Sequence, residues 1–587
     1  MTFGKLNLFA TAALLLLLGL ALYLPGQRSL PVTDRDEARY AQASRQMVET
    51  GDYLRIRFLD KARNKKPAGI YWLQAAAVRL TGEAGAIWPY RLPSLGAALA
   101  AVLLLFALAR RVLPAQAAWA AAAFASSPLL VVVAHSATTD AVLLITVCVS
   151  QSCLALVYLA RPDGRPFGLK TLAPALGFWV ALGAGILVKG PITPIIAALT
   201  VLALCFHDRD ARWLRRLWPA LGVPVLVLIV LPWLLAIQHA TNGAFLHESL
   251  GQDFLAKAQS VRESHGAPPG YYLLGANLLL WPLLPLVWRG LGRAWIARHA
   301  DPVAALLLAW VIPAWTVFEF VPTKLPHYVL PFYPALLLLA LRDAGGAEPA
   351  GRLWRVTCRI ADGAWWLVAV LWVAVPLTAT WAFGPAAWPA AAGCAAVALA
   401  ATAWMRRERL RGDRQPEPTR SAQRQVAAGV VFAVMYFGLL FGGVLPRLDD
   451  LWLTSRVAAM VAAHTPANAG HKPVASVGYE EPSVAFQLGS TTRLGVGVAG
   501  AVALLQQEPS AFVLVQDAPL PVAGRTWRDQ LNALCAIQTK GCNLANFLAA
   551  AERAGVRVRE LAAVEGWNYS RTKRVRVLLF SRAEATP

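Results

Sequence analysis

The stretch LNLFATAALLLLLGLALYLPGQRSLPVTDRDEARY, Leu6 to Tyr40, decides how the rest of the chain is read. Its first part, Leu6 to Pro25, is an apolar run long enough to cross a bilayer as a helix. No small-residue cleavage site follows it and many further apolar runs do, so it reads as a retained first span and not as a removed signal peptide. Its last part, TDRDEARY, places three carboxylates, Asp34, Asp36 and Glu37, at the edge of that membrane.

The composition agrees with a polytopic membrane protein. Over 587 residues the chain is 57% hydrophobic and 15% charged, with a mean hydropathy of +0.49 and 22 tryptophans, a balance that excludes a soluble globular protein. The net charge of +22 does not signal nucleic acid. The arginines cluster at the ends of apolar segments, where they set topology and meet anionic headgroups, and no basic groove with stacking aromatics stands apart from the membrane. Spans of about 20 residues fit near residues 6–25, 88–109, 114–134, 140–160, 171–188, 191–206, 217–238, 269–288, 302–321, 327–341, 362–384, 387–405 and 427–445, about thirteen transmembrane helices in all. The basic loops then fall on one face: Arg110 and Arg111, Arg161 to Lys170, the run from His207, the run from Arg289, Arg342 to Arg355 and the run from Arg406. By the positive-inside rule this face is the cytoplasm. The opposite, periplasmic face collects TDRDEARY, HSATTD from His135, Phe245 to His265 and PTKLPHY from Pro322.

Two outer-face stretches, 33–80 and 243–265, are amphipathic and charged, as expected of helices lying in the membrane interface. The transmembrane part thus covers 1–446. Over 447–587 the apolar runs shorten to strand length in PVASVG, AFVLVQD and VRVLLFS. These alternate with helix-like GAVALLQQ, RDQLNALCAI and LANFLAAAERAG, the pattern of a small soluble α/β domain. Five of the seven cysteines sit in the membrane part and read as small core residues. Cys535 and Cys542 fall in the outer domain, where an oxidising periplasm permits a disulfide without the spacing establishing one.

The acid cluster divides. Asp34 suits a helix N-cap, and Glu37 three residues later completes a capping box. Asp36 is the acid least needed for capping, and it shares a helical face with Tyr40, Ala43 and Met47. TDRDEARYAQASRQMVETGDY, KKPAGIYWLQ from Lys65, LVKGP from Leu187, KLPHYVLPFYPALLLL from Lys324 and YEEPSVAFQLG from Tyr479 together resemble the GT-C glycosyltransferases of the ArnT and protein O-mannosyltransferase superfamily, nearest to the ArnT-like branch. The resemblance extends over all the spans and the outer domain. It implies an inner-membrane enzyme that takes a sugar from a polyprenyl (undecaprenyl) phosphate carrier at the periplasmic face. The implied acceptor is lipid A or lipopolysaccharide core, and the sugar is of aminoarabinose or uronic-acid type.

The chemistry suits such a site, because a lipid-linked sugar phosphate presents an anionic leaving group that needs fixed cations. The resemblance places Lys66 near the carrier phosphate. Arg57, Arg63 and Lys65 lie close in sequence, with snorkelling toward headgroups as the structural alternative; Arg57 is counted with the substrate-facing residues, as is Tyr40. Lys324 is a second phosphate candidate, and Tyr328 after it can bond a phosphate or sugar oxygen or belong to the aromatic belt. The resemblance matches Asp36 to the family's outer-loop acid. It is a general base if the acceptor is a hydroxyl, and an orienting group if the acceptor is an ionised phosphate. Asp140, at the mouth of the fourth span, is the second acid, with an N-cap as its alternative reading. His135 reads as a satisfied interfacial histidine, while Glu248 and His265 are placed at the acceptor entrance. Where ArnT-like sequences often carry Glu-Lys-Pro, this chain has Lys65-Lys66-Pro67, so no metal is expected and no cofactor is needed; the extra cation also suits an acidic sugar. The expected partners are the lipid-linked sugar, its acceptor and membrane lipids, with no nucleic acid and a monomeric state. A protein hydroxyl is the alternative acceptor. A lipid flippase, the non-enzyme alternative, would need ionisable residues at mid-bilayer or inverted repeats, which the sequence does not show.

Overall fold

A computed structural model describes residues 7–160, 169–249, 251, 266–342, 346, 348–412, 418–466, 472–518 and 543–583. The chain starts with α1, Leu8–Tyr23, whose first turn is capped by Asn7 accepting from the Ala10 amide at 2.8 Å, a short side-chain oxygen satisfying an orphan donor. The outer loop after it builds α2 (Asp36–Thr50), the hairpin of β1 (Arg57–Phe58) and β2 (Lys61–Ala62), and α3 (Gly69–Thr81). Gly51 and Gly82 end the two helices in the left-handed conformation that favours glycine.

The bundle continues with α4 (Trp88–Val112), α5 (Ala117–Ala125), α6 (Pro128–Ala134), α7 (Asp140–Leu159), α8 (Leu169–Lys189), α9 (Ile192–Asp208) and α10 (Pro219–Ala240). Beyond the second outer loop come α11 (Tyr271–Leu279), α12 (Leu284–Ala297), α13 (Pro302–Phe320), α14 (Tyr333–Leu341), α15 (Arg352–Phe383), α16 (Trp388–Gly412) and α17 (Pro418–Leu439). Among the described residues eight helices are long and apolar enough to cross a membrane, or nine if one bent pair is a single span. The other expected spans are short or broken. The stretch 114–134 bends by 57° between α5 and α6, where Pro128 opens the second helix. The expected span 269–288 is not one helix: Pro282 lacks the amide that would continue the ladder, and the chain breaks into α11 and α12 there. The stretch 327–341 starts as a 3₁₀ turn over Pro326–Phe332 before α14.

Close approach between the outer loop and the bundle depends on one glycine. A Cβ on Gly69, the first residue of α3, would meet the Leu187 carbonyl oxygen at 2.7 Å, so only glycine lets the start of α3 lie against the end of α8.

After α17 the chain leaves the bundle and forms α18 (Leu453–Ala463), β3 (Val474–Val477), α19 (Pro482–Leu488), β4 (Arg493–Leu494), α20 (Gly497–Gln507), β5 (Phe512–Asp517), α21 (Asn543–Arg553), β6 (Val558–Asn568) and β7 (Lys573–Arg582). The five-stranded sheet runs β4-β3-β5-β7-β6, with β3 parallel to β4 and β5, and β7 antiparallel to β5 and β6. Alternation along β5 sends Val513 and Val515 to the face covered by α20 and α21, and Phe512 and Leu514 to the face covered by α18 and α19. RDQLNALCAI, Cys535 and Cys542 lie outside the described residues.

The outer loop is fixed to the bundle by a buried ion pair. Arg91 of α4 and Glu37 of α2 are 0% and 2% exposed, and the Arg91 guanidinium donates to both Glu37 carboxylate oxygens at 2.8 and 3.0 Å. It also donates to the Gln27, Leu30 and Pro31 carbonyls, so all its N–H groups are satisfied. Glu37 accepts in addition from the Thr33 amide and hydroxyl and from the Ala137 amide. The capping-box reading of Glu37 is therefore incomplete: it does reach back along its own turn, but its main partner lies in another helix. The pair keeps the Glu37 carboxyl below the usual carboxylate range even though burial opposes the charge, because Arg91 and three N–H or O–H donors outweigh that burial. Replacing Arg91 by Met is expected to cost about 3–5 kcal/mol by leaving a buried carboxylate without its cation. Thermal unfolding of the detergent-solubilised chain would measure it, and Tm unchanged by the substitution would refute the role given to the pair.

Candidate active site

Three motifs that are far apart in sequence meet at Asp140. This residue opens α7 and is 7% exposed. Lys189, the last residue of α8 in LVKGP, bonds its carboxylate through Nζ, and His327 of PTKLPHY places Nε2 at 3.5 Å from the same oxygen. The Lys189 ammonium also lies 5.0 Å from the centre of the Tyr328 ring, a cation–π distance.

The outer loop closes over this group. Tyr40 of α2 packs on Tyr71 of α3 with ring centroids 5.4 Å apart, and Arg63 stands over the Tyr40 ring at 5.4 Å while donating to the Tyr71 hydroxyl at 3.2 Å. Burial pushes the Tyr40 phenol well above its usual range, with Tyr71, Asp36 and Asp140 adding to the rise and Arg63 opposing it. Asp36 and Asp140 thus both act on one phenol. Burial works against the charge of Arg63, but Tyr71, Tyr40 and Asp36 more than offset it, so this guanidinium is held protonated. Asp36 itself is the first residue of α2, with a side chain 54% exposed and Arg39 at 3.9 Å. It is thus half-exposed while lying close enough to act on the Tyr40 phenol and the Arg63 guanidinium.

The other sequence candidates are placed as follows. Lys66 is half-buried in the turn between β2 and α3, beside Asn64. Glu248 reaches that turn, accepting from the Asn64 side-chain amide at 3.3 Å, which brings the second outer loop against the first. His265 lies outside the described residues. Arg57 is exposed on β1 and borders a separate cleft of about 190 Å³ with Met47, Asp52 and Arg55, beyond Tyr40 along α2. Lys324 does not present its ammonium to the Asp140 group as a phosphate ligand would: it is 3% exposed and donates to the Ala267 and Val321 carbonyls, each at 2.7 Å, holding the PTKLPHY turn on the second outer loop. The cation that reaches Asp140 is instead Lys189, which sequence reasoning quoted in LVKGP without giving it a role. His135 is a buried histidine whose ring nitrogens meet the Val131 and Pro25 carbonyls. Among the described residues no group of three or more His, Cys, Asp or Glu is arranged to hold a metal.

The sheet domain grips the same loop. Asp34 is not an N-cap: the residue before α2 is Arg35, with φ 67° and no side-chain cap. The Asp34 carboxylate instead accepts from the Ser483 amide at 3.2 Å and its amide donates to the Tyr569 hydroxyl at 2.6 Å. Arg35 donates to the Ser570 carbonyl, which anchors a backbone conformation that non-glycine residues rarely adopt. Further along α2, Gln42 donates to Ser490 and Arg45 to the Phe486 carbonyl.

A family model described as dolichyl-phosphate-mannose-protein mannosyltransferase matches residues 65–235. Two undecaprenyl phosphate-alpha-4-amino-4-deoxy-L-arabinose arabinosyl transferases are similar in sequence. That of Aeromonas hydrophila is 28% identical over 54% of this chain and 56% of its own; that of Pseudomonas paraeruginosa is 32% identical over 52% and 54%. The chain spans about half the length of the curated relatives it matches. The fold is that of ArnT from Cupriavidus metallidurans, crystallised with undecaprenyl phosphate: 97% of each chain superposes with a TM-score of 0.69 at 19% identity. The Archaeoglobus fulgidus oligosaccharyltransferase is more distant, with a TM-score of 0.53 at 12% identity over 87% of this chain and 70% of its own. Motifs, relatives and fold agree on the ArnT-like branch of the GT-C glycosyltransferases as what this chain resembles.

The grip of the sheet domain includes a buried carboxyl, Asp34, that titrates between mildly acidic and neutral pH. Burial, with Glu481 beside it, pushes the Asp34 carboxyl up to about 6 from 3.8, against the lowering effect of Ser483 and Arg35. The folded, docked state therefore binds the proton more tightly than the unfolded one, so this contribution to docking is complete below about pH 4 and is lost as pH rises through about 6. The protection of the Ser483 amide, measured as its exchange rate relative to the intrinsic rate at the same pH, is expected to be greater near pH 5 than near pH 7, and Asp34→Asn is expected to remove that difference in protection. Equal protection at the two pH values in the unsubstituted chain would contradict the assignment.

Proposed function

We propose that this chain, which shares the fold and motifs of the ArnT-like glycosyltransferases, moves a sugar from undecaprenyl phosphate to a lipid A or lipopolysaccharide-core phosphate at the periplasmic face of the bacterial inner membrane. The observation that carries the reading is the meeting of Asp140, Lys189, His327 and Tyr328 beneath the Tyr40–Arg63–Tyr71 cluster. This is a cluster of cations, acids and phenols drawn from three outer-face loops and the end of α8. The acceptor oxygen attacks the anomeric carbon, the bond from that carbon to the carrier phosphate breaks, and the phosphate leaves with the electron pair. Fixed cations, Lys66, Arg63 and Lys189, stabilise the charge that gathers on it. Positive charge on the sugar is matched by Asp140 and Asp36. With an ionised phosphate as acceptor there is no proton to remove, and Asp36 orients the acceptor; with a hydroxyl acceptor, Asp36 takes the proton. Glu248 borders the entrance through Asn64. Lys65, exposed beside Lys66, favours an acidic sugar over a cationic one. The chain acts as a monomer, with the sheet domain in the periplasm. The family model over 65–235, described for a protein mannosyltransferase, supports a protein hydroxyl as the second reading.

Mass spectrometry of lipid A and core oligosaccharide from cells lacking the chain is expected to show loss of one sugar mass, restored by the chain. Asp36→Asn and Lys66→Ala are expected to lower transfer by about 100-fold or more while still inserting in the membrane. Full transfer by both variants would refute the enzyme reading, and loss of mass from a glycoprotein with unchanged lipids would select the protein acceptor.

A further inference from the structure

The end of the bundle away from the sheet domain encloses another polar cavity. It has a volume of about 450 Å³ and lies where α12, α15, α16 and the first turns of α17 converge. α17 leads into the sheet domain only from its other end, so this cavity and the transfer site are on opposite sides. Arg289, Arg293, Arg406 and Arg409 line it, opposed by Glu348 and Asp362. The carboxylates hold the arginines in place without matching their charge: Glu348 lies 3.3 Å from Arg293 and 4.0 Å from Arg289, and Asp362 3.4 Å from Arg409. Two indoles complete the wall, with Arg409 at 4.2 Å over Trp365 and Arg406 at 5.9 Å over Trp366. Trp365 is buried and also bonds the Pro282 carbonyl, so the platform under Arg409 is rigid, whereas Trp366 is 45% exposed on the outer side of α15. Ile360 and Leu367 of the same helix and Leu410 of α16 are exposed as well, an apolar flank that suits acyl chains.

We propose that this cavity binds the phosphate of an anionic phospholipid from the leaflet opposite the sheet domain. Guanidinium forks are suited to phosphate oxygens, the charge excess attracts an anion, and basic pockets between helices at the cytoplasmic side are where acidic headgroups are held. The exposed flank beside the cavity selects a lipid over a soluble anion, since the phosphate can enter while its chains stay in the bilayer. Once bound, the headgroup bridges the arginines of α12 and α16, whose charge Glu348 and Asp362 only partly offset.

The full chain, purified in a neutral detergent, can be titrated with phosphatidylglycerol or phosphatidylcholine and read by native mass spectrometry. A one-to-one phosphatidylglycerol complex is expected, with phosphatidylcholine bound at least about tenfold more weakly. The double variant Arg289→Ala, Arg406→Ala is expected to lose about tenfold in phosphatidylglycerol affinity, and the corresponding double Lys variant to recover part of it. Equal retention of both lipids by the unsubstituted chain, an arm that needs no variant to fold, would overturn the proposal. So would displacement of phosphatidylglycerol by equimolar inorganic phosphate, which would mark a soluble-anion site, or an undiminished affinity in the double Ala variant.

Discussion

The Glu37–Arg91 pair is the constraint from which the geometry of the site follows. Neither group meets water, and a buried pair of this kind is tolerable only because every remaining donor and acceptor is matched. Those extra bonds do the positioning. Through Gln27, Leu30 and Pro31 the guanidinium fixes the exit of the first span. Through Thr33 and Ala137 the carboxylate ties the start of α2 to the loop just before Asp140. Asp36, adjacent to Glu37, and Asp140, three residues after Ala137, are thereby both held close enough to act on the Tyr40 phenol. A framework of charge and backbone bonds determines where the two acids stand before any substrate arrives.

The remaining positions follow from close contact between segments with separate origins. Gly69 lets α3 lie on the end of α8, which brings Tyr71 and Arg63 toward Lys189. The Lys324 bonds to Ala267 and Val321 hold the PTKLPHY turn so that His327 and Tyr328 face Asp140 and Lys189. A lysine turned away from Asp140 can thus be as necessary to the arrangement as the one that reaches it.

Hydropathy made the bundle legible, because a bilayer demands long apolar runs with basic ends. Run length likewise marked three of the five strands of the sheet. It missed β6, an edge strand whose VRELAAVEGWN carries no clean period and whose register shifts between Glu560 and Ala562. Within the site, the local signals misled where the true partner was distant. Glu37 has the spacing of a capping box, yet its cation lies 54 residues away. Asp34 has the place of an N-cap, yet it bonds Ser483. Lys189 and Lys324 both sit at the end of an apolar run beside proline, and nothing in one sequence tells which of them turns toward Asp140. Complementary charges separated by whole helices leave no periodic trace.

The contacts of Asp34 and Arg35 with the sheet domain also order events in time. Ser483 is made 449 residues after the aspartate it bonds, and Tyr569 and Ser570 follow later still. During synthesis the outer loop stands in the membrane interface long before its clamp exists, so the strained turn at Arg35 and the start of α2 are secured only when the sheet has folded. The fixed geometry of the outer loop is thereby tied to completion of assembly, and a partly made chain carries its three acids without the clamp that holds Asp34 and Arg35 in place.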